Sequence, residues 1–331
     1  MEINNSNGGN QLSEFSRQIT GAVENAARSI VAVDARPRVA TSGVIWREGV
    51  IVSTNHTVRH DENITVAFEG GKTVAATLVG RDPGTDLAVL KINDEEAAKS
   101  LKPAEIAESA EVKVGNIVLA VGRTGAESGV SASFGIINQI GGAWQTWRGD
   151  KIERFIGVDA AIRLGFSGGA LVNPEGKILG INTSAFGRGL ALTIPAETVN
   201  RVVDALLAKG RIARPFLGIG TQAVPLSESL REKANLSQTS GLMILTVETD
   251  GPAEKAGLLI GDVLLSLNDK PTLEPTGVQF SLSGQAAGDV VKAQILRGGE
   301  LKEVEITLGE RPAREHQRHG RGRGRGWRGW R

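Results

Sequence analysis

Residues 165–171 read Gly165-Phe166-Ser167-Gly168-Gly169-Ala170-Leu171, a glycine-rich turn that is followed by a hairpin at 172–177. Glycines on both sides of a serine let the backbone turn so that neighbouring N–H groups point at one place. A serine between glycines is usually only a turn, and its hydroxyl is a poor nucleophile unless an adjacent base takes its proton. Ser167 is therefore a candidate nucleophile only if the rest of the chain supplies a base and a group that orients that base.

The best candidate for the base is His56. Two of the four histidines lie in the C-terminal tail, and His60 stands beside two acidic residues in a predicted exposed turn. His56 instead closes the stretch Ser53-Thr54-Asn55-His56, directly after an apolar strand. An imidazole base needs an acid that holds its tautomer and stabilises its protonated form. Asp86, in the turn that leads into the apolar strand 87–90, is the candidate for that role.

The three candidates occur in the order His, Asp, Ser along the chain, which is the order of the chymotrypsin architecture and not of subtilisins or α/β-hydrolases. Each residue alone is a weak signal, but the three in this order at strand ends make coincidence a poor explanation. The spacing of the turn assigns an oxyanion hole to the N–H groups of Gly165 and Ser167, with the N–H of Phe166 between them.

From about residue 29 to 192, short β-branched runs alternate with glycine turns, a pattern typical of an all-β barrel or sandwich. The clearest predicted strands are 29–33, 50–52, 64–66, 87–90, 117–121 and 177–181. Helical spacing of apolar residues predicts one helix at 12–27 and a second at 196–209, between Pro195 and Gly210. The second helix is predicted to end the first domain.

With these residues the chain resembles the HtrA (Deg) family of chymotrypsin-like serine proteases, over roughly residues 22–308. The matching motifs are Thr54-Asn55-His56, Asp82-x-x-Thr85-Asp86-Leu87-Ala88-Val89-Leu90-Lys91, Asp159-Ala160-Ala161-Ile162-x-x-Gly165-x-Ser167-Gly168-Gly169-x-Leu171-Val172-Asn173 and Gly180-Ile181-Asn182-Thr183. The resemblance implies a mainly β protein whose chymotrypsin-like protease domain has two six-stranded barrels. It also implies a catalytic triad of His56, Asp86 and Ser167 between those barrels.

The loop before the serine departs from the family pattern. The family usually has Asn-Pro-Gly-Asn where this chain has Arg163-Leu164-Gly165-Phe166, and a proline where this chain has Ala170. In related proteases this loop must reorganise to form the oxyanion hole. The departures therefore bear on whether the hole is formed at rest, while the triad itself is intact.

The resemblance also suggests a substrate preference. In this fold the residue six positions before the nucleophile lies at the base of the S1 pocket, and here that residue is Ala161. An aspartate there would select arginine or lysine, so trypsin-like specificity is disfavoured. With Ala185 and Leu190 nearby, we expect a shallow apolar pocket for Val, Ala, Ile or Leu.

The segment after the second predicted helix resembles a PDZ domain. It contains Arg214-Pro215-Phe216-Leu217-Gly218-Ile219, followed by Gly251-Pro252-Ala253-Glu254-Lys255-Ala256-Gly257-Leu258 and Gly261-Asp262-Val263-Leu264. In such a domain the backbone N–H groups of the loop Phe216, Leu217, Gly218 and Ile219 would hold the carboxylate of a peptide C-terminus. The peptide then adds as a strand to the edge of the sheet.

These motifs divide the chain into a disordered N-terminus at 1–11, a trypsin-like protease domain at 12–210, a PDZ domain at 211–310 and an Arg/Gly-rich disordered tail at 311–331. The tail has eight arginines against one acid, whereas the whole chain is close to neutral. Arginine and tryptophan can bind RNA or single-stranded nucleic acid through phosphate contacts and base stacking. We favour the plainer interpretation of a solvated tail.

The composition excludes several classes of cofactor site but does not determine the cellular compartment of the protein. There is no cysteine, which excludes a disulfide framework, a thiolate metal site and a cysteine nucleophile. We expect no metal and no other cofactor, because neither HExxH nor a P-loop occurs. We expect no membrane span, since no apolar run is long enough. The chain as written shows no secretory leader, which favours the cytoplasm, whereas the family resemblance favours the periplasm or another extracytoplasmic compartment.

Two functions follow from these observations. The first is an ATP-independent endopeptidase that acts on unfolded or misfolded proteins, with the PDZ domain binding peptide C-termini and regulating cleavage. The resemblance implies that this endopeptidase is a homo-oligomer, since members of the family form trimers. The predicted helix from residue 12 either helps to build the trimer or packs on its own barrel. The alternative is a non-enzymatic chaperone or peptide binder with an inactive protease-like domain. The complete triad favours the first.

Overall fold

The computed structural model describes residues 6–108, 112–125, 129–146, 151–186, 191–282 and 285–310. The chain forms two compact units that divide between Ile212 and Ala213, and the short segment 275–283 is counted with the first. The division lies two residues from the predicted domain boundary after residue 210. The predictions for residues 1–5 and for the tail at 311–331 concern residues outside the described ranges.

The first unit begins with a closed six-stranded antiparallel barrel. Its strands are β1 (Ile30–Asp34), β2 (Thr41–Arg47), β3 (Val50–Thr54), β4 (Ile64–Ala67), β5 (Thr73–Asp82) and β6 (Leu87–Ile92). They pair in the order β1-β2-β3-β6-β5-β4, and β4 closes the barrel on β1. Aliphatic side chains that alternate along these strands, such as Val31, Ile51 and Leu90, fill its interior.

A second closed barrel follows in the same unit. Its strands are β7 (Ile117–Arg123), β8 (Val130–Gly141), β11 (Phe155–Val158), β12 (Ala170–Val172), β13 (Ile178–Thr183) and β14 (Ala191–Pro195), with a small hairpin of β9 (Trp144–Gln145) and β10 (Lys151–Ile152). They pair in the order β11-β14-β13-β12-β7-β8. A large apolar cluster joins residues of both barrels, among them Val44 and Leu119. The predicted mainly β architecture of two six-stranded barrels is confirmed.

Three helices pack on these barrels: α1 (Ser6–Ala27), α2 (Glu95–Ser100) and α3 (Ala196–Lys209). The prediction for α3 is confirmed, and Gly210 ends it in the left-handed conformation with its N–H on the Leu206 carbonyl. The predicted start of α1 at residue 12 is wrong, and so is the prediction of disorder for residues 6–11. Residues 6–11 are polar and offer no apolar stripe, yet an existing helix extends by one hydrogen bond for each residue added.

The second unit is built on a five-stranded antiparallel path in the order β16-β17-β18-β20-β21. Its strands and helices are β15 (Pro215–Phe216), β16 (Ile219–Pro225), α4 (Glu228–Lys233), β17 (Ser240–Val247), α5 (Pro252–Lys255), β18 (Val263–Leu267), β19 (Lys270–Pro271), β20 (Val290–Arg297), β21 (Glu300–Thr307) and β22 (Gly309–Glu310). Helix α6 (Pro275–Ser281) lies in the segment counted with the first unit. Within the described ranges, strand β16 pairs only with β17 and is therefore an edge of the sheet.

Candidate active site

His56 and Asp86 are held together by two hydrogen bonds. The imidazole Nδ1 lies 2.7 Å from Asp86 Oδ2, and the backbone N–H of His56 donates to Asp86 Oδ1 at 2.9 Å. Since an ionised carboxylate can only accept, Nδ1 carries the hydrogen and Nε2 keeps its lone pair. This tautomer leaves Nε2 able to accept a proton. The Asp86 side chain is 4% exposed, whereas the imidazole is 35% exposed and so can be reached by substrate.

A buried turn sets the position of Asp86. The carboxylate of Asp82 accepts hydrogen bonds from the Gly84 N–H and from the Thr85 hydroxyl, the latter at 2.6 Å. Asp86 itself has a left-handed backbone with φ of 59°, a conformation that aspartate adopts more readily than most residues. Its carbonyl accepts the Asn55 N–H at 2.9 Å, so the turn before β6 is tied to the turn after β3. Both residues of the His–Asp pair thus come from adjacent strands of the first barrel.

The second barrel contributes a third hydrogen bond to Asp86, from the Thr183 hydroxyl to Oδ2 at 2.6 Å. A buried carboxylate is costly unless hydrogen bonds satisfy it, and Asp86 accepts three. Thr183 ends β13, whose residue Asn182 accepts the Gly168 N–H at 2.9 Å. One strand therefore connects the acid of the pair to the loop that contains Ser167.

Ser167 is buried in the turn between β11 and β12. Its hydroxyl lies 3.2 Å from the hydroxyl of Ser184, the residue that follows β13. Within the described residues no hydrogen bond joins Ser167 to the imidazole of His56. Catalytic hydrogen bonds of this kind are often long in enzymes without substrate and tighten when substrate binds.

The loop before Ser167 leaves two N–H groups without an acceptor. The N–H of Phe166 donates to Arg163, that of Gly168 to Asn182 and that of Gly169 to Phe166. In the described part of the chain, the N–H groups of Gly165 and Ser167 donate to no protein group. These are the two groups that the sequence assigned to an oxyanion hole.

The residues that depart from the family pattern are accommodated in different ways. Phe166 is 3% exposed and packs inside the second barrel with Val118 and Leu171. Burial of a side chain of this size stabilises the loop by about 1.5–3 kcal/mol. Leu164 is 75% exposed and contributes no such packing.

Two of the three residues predicted to line the S1 pocket lie within the described ranges. Ala161 and Ala185 are both exposed, and the backbone N–H of Ala161 donates to the Ser133 hydroxyl at 2.9 Å. Leu190 lies outside the described residues. The composition of the S1 pocket stays a prediction.

The predicted peptide-binding loop of the second unit has its carbonyl groups engaged. The carbonyl of Leu217 accepts the Ala253 N–H and that of Gly218 accepts the Glu248 N–H, both at 2.8 Å. Gly218 has φ of 80°, which glycine adopts without strain. Among the described residues, the N–H groups of Leu217 and Gly218 have no acceptor. Phe216 and Ile219 flank them in β15 and β16.

An acidic cleft of about 560 Å³ lies beside this loop. Its lining includes Phe216, one cationic side chain, that of Lys255, and four carboxylate side chains, those of Glu248, Asp250, Glu305 and Glu310. The N–H groups of Leu217 and Gly218 are suited to donate hydrogen bonds to a carboxylate.

Sequence reasoning missed several polar residues that position the site. They are Thr41 and Ser42 of β2, Thr183 of β13, and Ser184. Each is a common residue without a motif of its own, and its contact with the site depends on how the two barrels pack. Only the position of Thr183 carried a signal, because it lies in a stretch that matches the family.

Two family models match the chain: a trypsin-like peptidase domain at residues 41–181 and a PDZ domain at residues 215–308. Among solved structures, a serine endoprotease from Yersinia pestis is 33% identical with a TM-score of 0.68, and the match covers 89% of this chain and 98% of that one. The HtrA-type protease AlgW, solved with a decapeptide, is 29% identical with a TM-score of 0.68 over 89% of this chain and 99% of that one.

Curated relatives give the same family. A probable periplasmic serine endoprotease, DegP-like, from Ectopseudomonas mendocina (strain ymp) is 34% identical over 275 residues, which is 81% of this chain and 56% of the relative. A protein of the same description from Rhizobium meliloti (strain 1021) is 32% identical over 284 residues, or 84% of this chain and 55% of the relative. The chain thus spans little more than half the length of these relatives.

The described residues contain neither a membrane-spanning helix nor a metal-binding cluster. No helix among them is both long and apolar enough to cross a bilayer. No group of three or more histidine, aspartate or glutamate side chains there is arranged to hold a metal ion.

Proposed function

The chain belongs to the HtrA-type, DegP-like family of serine endoproteases, and we propose that it hydrolyses peptide bonds with Ser167 as the nucleophile, His56 as the base and Asp86 as the orienting acid. The observation that carries the proposal is the His56–Asp86 pair, with Nδ1 at 2.7 Å from a buried carboxylate. The Thr183 hydroxyl on the same carboxylate supports it further. This arrangement leaves Nε2 of His56 available as a base, on a ring that is 35% exposed.

The reaction proceeds in two halves. His56 Nε2 takes the proton of the Ser167 hydroxyl as Oγ attacks the substrate carbonyl, and Asp86 stabilises the imidazolium that forms. The oxyanion is received by the N–H groups of Gly165 and Ser167, which are free in the described structure. The imidazolium then gives its proton to the leaving amine, and an acyl-enzyme remains. A water molecule, deprotonated by His56, hydrolyses this ester and returns Ser167 to its starting state.

We propose unfolded or misfolded proteins as the substrates, cleaved without ATP and chiefly after small aliphatic residues. The neutral Ala161 supports this preference, because it provides no carboxylate for a basic side chain. For the second unit we propose that peptide C-termini bind to the N–H groups of Leu217 and Gly218. The peptide would then extend along the free edge of β16.

We further propose that the protein is a homo-oligomer, a trimer by analogy with the family. An exposed apolar patch in the first unit supports this. It consists of Leu12, Phe15, Phe134 and Ile136, and the rings of Phe15 and Phe134 meet edge to face at 6.3 Å. The other end of α1 packs on its own barrels through Ala22 and Ala26. Helix α1 thus has one end that packs within the chain and one end available to a second copy.

A casein assay tests the proposed activity. We expect wild-type protein to degrade casein without ATP and Ser167→Ala to be slower by a factor of at least about 10⁴, because the nucleophile is lost. A peptide with a free C-terminus should change the wild-type rate, whereas the same peptide amidated at its C-terminus should not. Mass spectrometry of the fragments should show cuts after Val, Ala, Ile or Leu.

Two outcomes would contradict these proposals. Equal, negligible hydrolysis by wild type and Ser167→Ala, in the presence of the peptide, would favour the non-enzymatic peptide binder. Cleavage chiefly after arginine or lysine would leave the activity standing but overturn the assignment of Ala161 to the S1 pocket.

A further inference from the structure

The side chain of Ser42 lies at the centre of a buried hydrogen-bond cluster. Its hydroxyl oxygen is 2.6 Å from the Gly165 carbonyl, 3.2 Å from the Arg123 carbonyl and 2.9 Å from the Arg123 N–H. The backbone N–H of Ser42 also donates to the Gly165 carbonyl, at 3.1 Å. Ser42 is fully buried, so water does not compete for these bonds.

The proton of this hydroxyl goes to Gly165. A serine hydroxyl has one hydrogen to donate and lone pairs to accept. The Arg123 N–H can only donate, so it occupies a lone pair of Ser42 Oγ. The single hydrogen then has two carbonyls within reach, and the contact of 2.6 Å to Gly165 is much the shorter. The Gly165 carbonyl therefore receives two hydrogen bonds from one residue.

These bonds fix the peptide plane between Gly165 and Phe166. The same strand holds the next carbonyl of the turn, because the Thr41 hydroxyl donates to the Ser167 carbonyl at 2.7 Å. The peptide unit between Phe166 and Ser167, which carries the Ser167 N–H, therefore lies between two peptide units that β2 holds. In the described structure the N–H groups of Gly165 and Ser167 have no protein acceptor. A glycine alone would not hold these units, since it permits many backbone conformations.

Arg123 anchors the cluster on its other side. Its guanidinium donates to the carbonyl of Ile30 at 2.9 Å, and its side chain is buried. The backbone beside it approaches Ser42 closely, because a Cβ at Gly122 would lie 2.7 Å from Ser42 Oγ. The hydroxyl is therefore enclosed on one side by β7 and on the other by the loop before the nucleophile.

We propose that Ser42 is a positioning residue that holds the oxyanion loop in its formed conformation at rest. The inference rests on the proposed proteolytic function. Ser42 does not touch substrate. It acts by fixing the peptide unit between Gly165 and Phe166. The units that carry the N–H groups of Gly165 and Ser167 are its two neighbours along the chain, so both are joined to a fixed unit.

The experiment compares Ser42→Ala with Ser29→Ala in the full chain. Ser29 is the matched control, because it is also buried and its hydroxyl donates to one backbone carbonyl, that of Ala26 at 3.0 Å. The concentration of reactive active sites is measured first by titration, so that kcat is calculated per active molecule and not per total protein. We expect Ser42→Ala to lower kcat by about 10- to 100-fold with KM nearly unchanged, somewhat less than the loss of a whole oxyanion donor. Ser29→Ala should leave both constants within about twofold of wild type.

A peptide boronate provides the second readout. It forms a tetrahedral adduct on the nucleophile and so reports the affinity of the site for the oxyanion geometry. We expect its inhibition constant to rise by the same factor as kcat falls in Ser42→Ala, and to stay constant in Ser29→Ala. Should Ser42→Ala fail to fold, Ser42→Cys keeps a weaker donor and should show an intermediate loss in both measurements.

The outcomes separate the two proposals. If wild type cleaves casein and Ser42→Ala matches Ser29→Ala in kcat and boronate affinity, Ser42 is only structural and the inference is wrong. If wild type neither cleaves casein nor binds the boronate, the proposed function is wrong and the inference falls with it.

Discussion

At Gly165 the backbone has φ of +90°, and a Cβ built there would come within 2.3 Å of Thr124 Cγ2. Both constraints act on the residue whose N–H is assigned to the oxyanion hole. The contact between His56 and Asp86 could be predicted because their types and spacing are specific, whereas the roles of Ser167 and Gly165 stay predictions. The contacts of Ser42 and Thr183 could not be predicted, since their partners lie 123 and 97 positions away along the chain and only barrel packing brings them together.

Gly165→Ala should therefore reduce casein hydrolysis by about 10²–10³, because relief of the clash moves a hole donor away from the oxyanion. Gly129→Ala is the control: a Cβ there has no neighbour within 4 Å, and its φ is unstrained. We expect that variant to stay within about twofold of wild type. Equal rates for the two variants would show that the backbone at Gly165 is not critical.

Among the elements, those with local signals at both ends were predicted best. Helix α3 was predicted with its correct bounds because Pro195 and Gly210 frame a clear apolar stripe. The start of α1 has no comparable signal, because neither a proline nor an apolar stripe marks residues 6–11. In the second unit the ion pair of Asp262 with Arg297, at 2.7 Å, ties the start of β18 to the end of β20. No sequence pattern indicates that pair, because the two residues lie 35 positions apart.

This pair predicts a pH dependence. Burial raises the pKa of Asp262, but hydrogen bonds from Arg297 and from the Leu259 N–H outweigh it, and the pKa lies below its ordinary value. A lowered folded-state pKa stabilises the fold above the unfolded value of about 3.9, and this stabilisation is lost as pH falls through the folded value. Asp262→Asn should therefore destabilise the second unit by about 1–3 kcal/mol at pH 7, and by progressively less below pH of about 4.

Hydrogen–deuterium exchange of β18 and β20 in the full chain measures this effect. Glu303→Gln is the control, because Glu303 pairs with Lys292 on an exposed surface at 3.1 Å. We expect a change below about 0.5 kcal/mol for that variant. A loss in Asp262→Asn that is the same at pH 3 and pH 7 would contradict the assigned role of the carboxylate.

For the whole molecule, the apolar patch of Leu12, Phe15, Phe134 and Ile136 is the feature that bears on assembly. Leu12→Asp combined with Phe15→Asp should convert an oligomer to monomers, because buried carboxylates would oppose association. Light scattering after size-exclusion chromatography measures the mass directly. Leu301→Asp, at an exposed apolar position of the second unit, should leave the assembly intact. A wild-type monomer, or a double variant of unchanged mass, would contradict the proposal.

The division of the site between two barrels has a consequence for newly made chains. His56, Asp86 and Ser42 belong to the first barrel, whereas Ser167, Gly165 and Thr183 belong to the second. Folding of larger chains passes through partly assembled states. Under the proposed mechanism, a chain whose barrels have formed but have not docked has neither a complete triad nor a fixed loop, and it is therefore inactive. The proposed activity would then appear only when the two barrels dock, so that folding of the protease domain and its activation become one event.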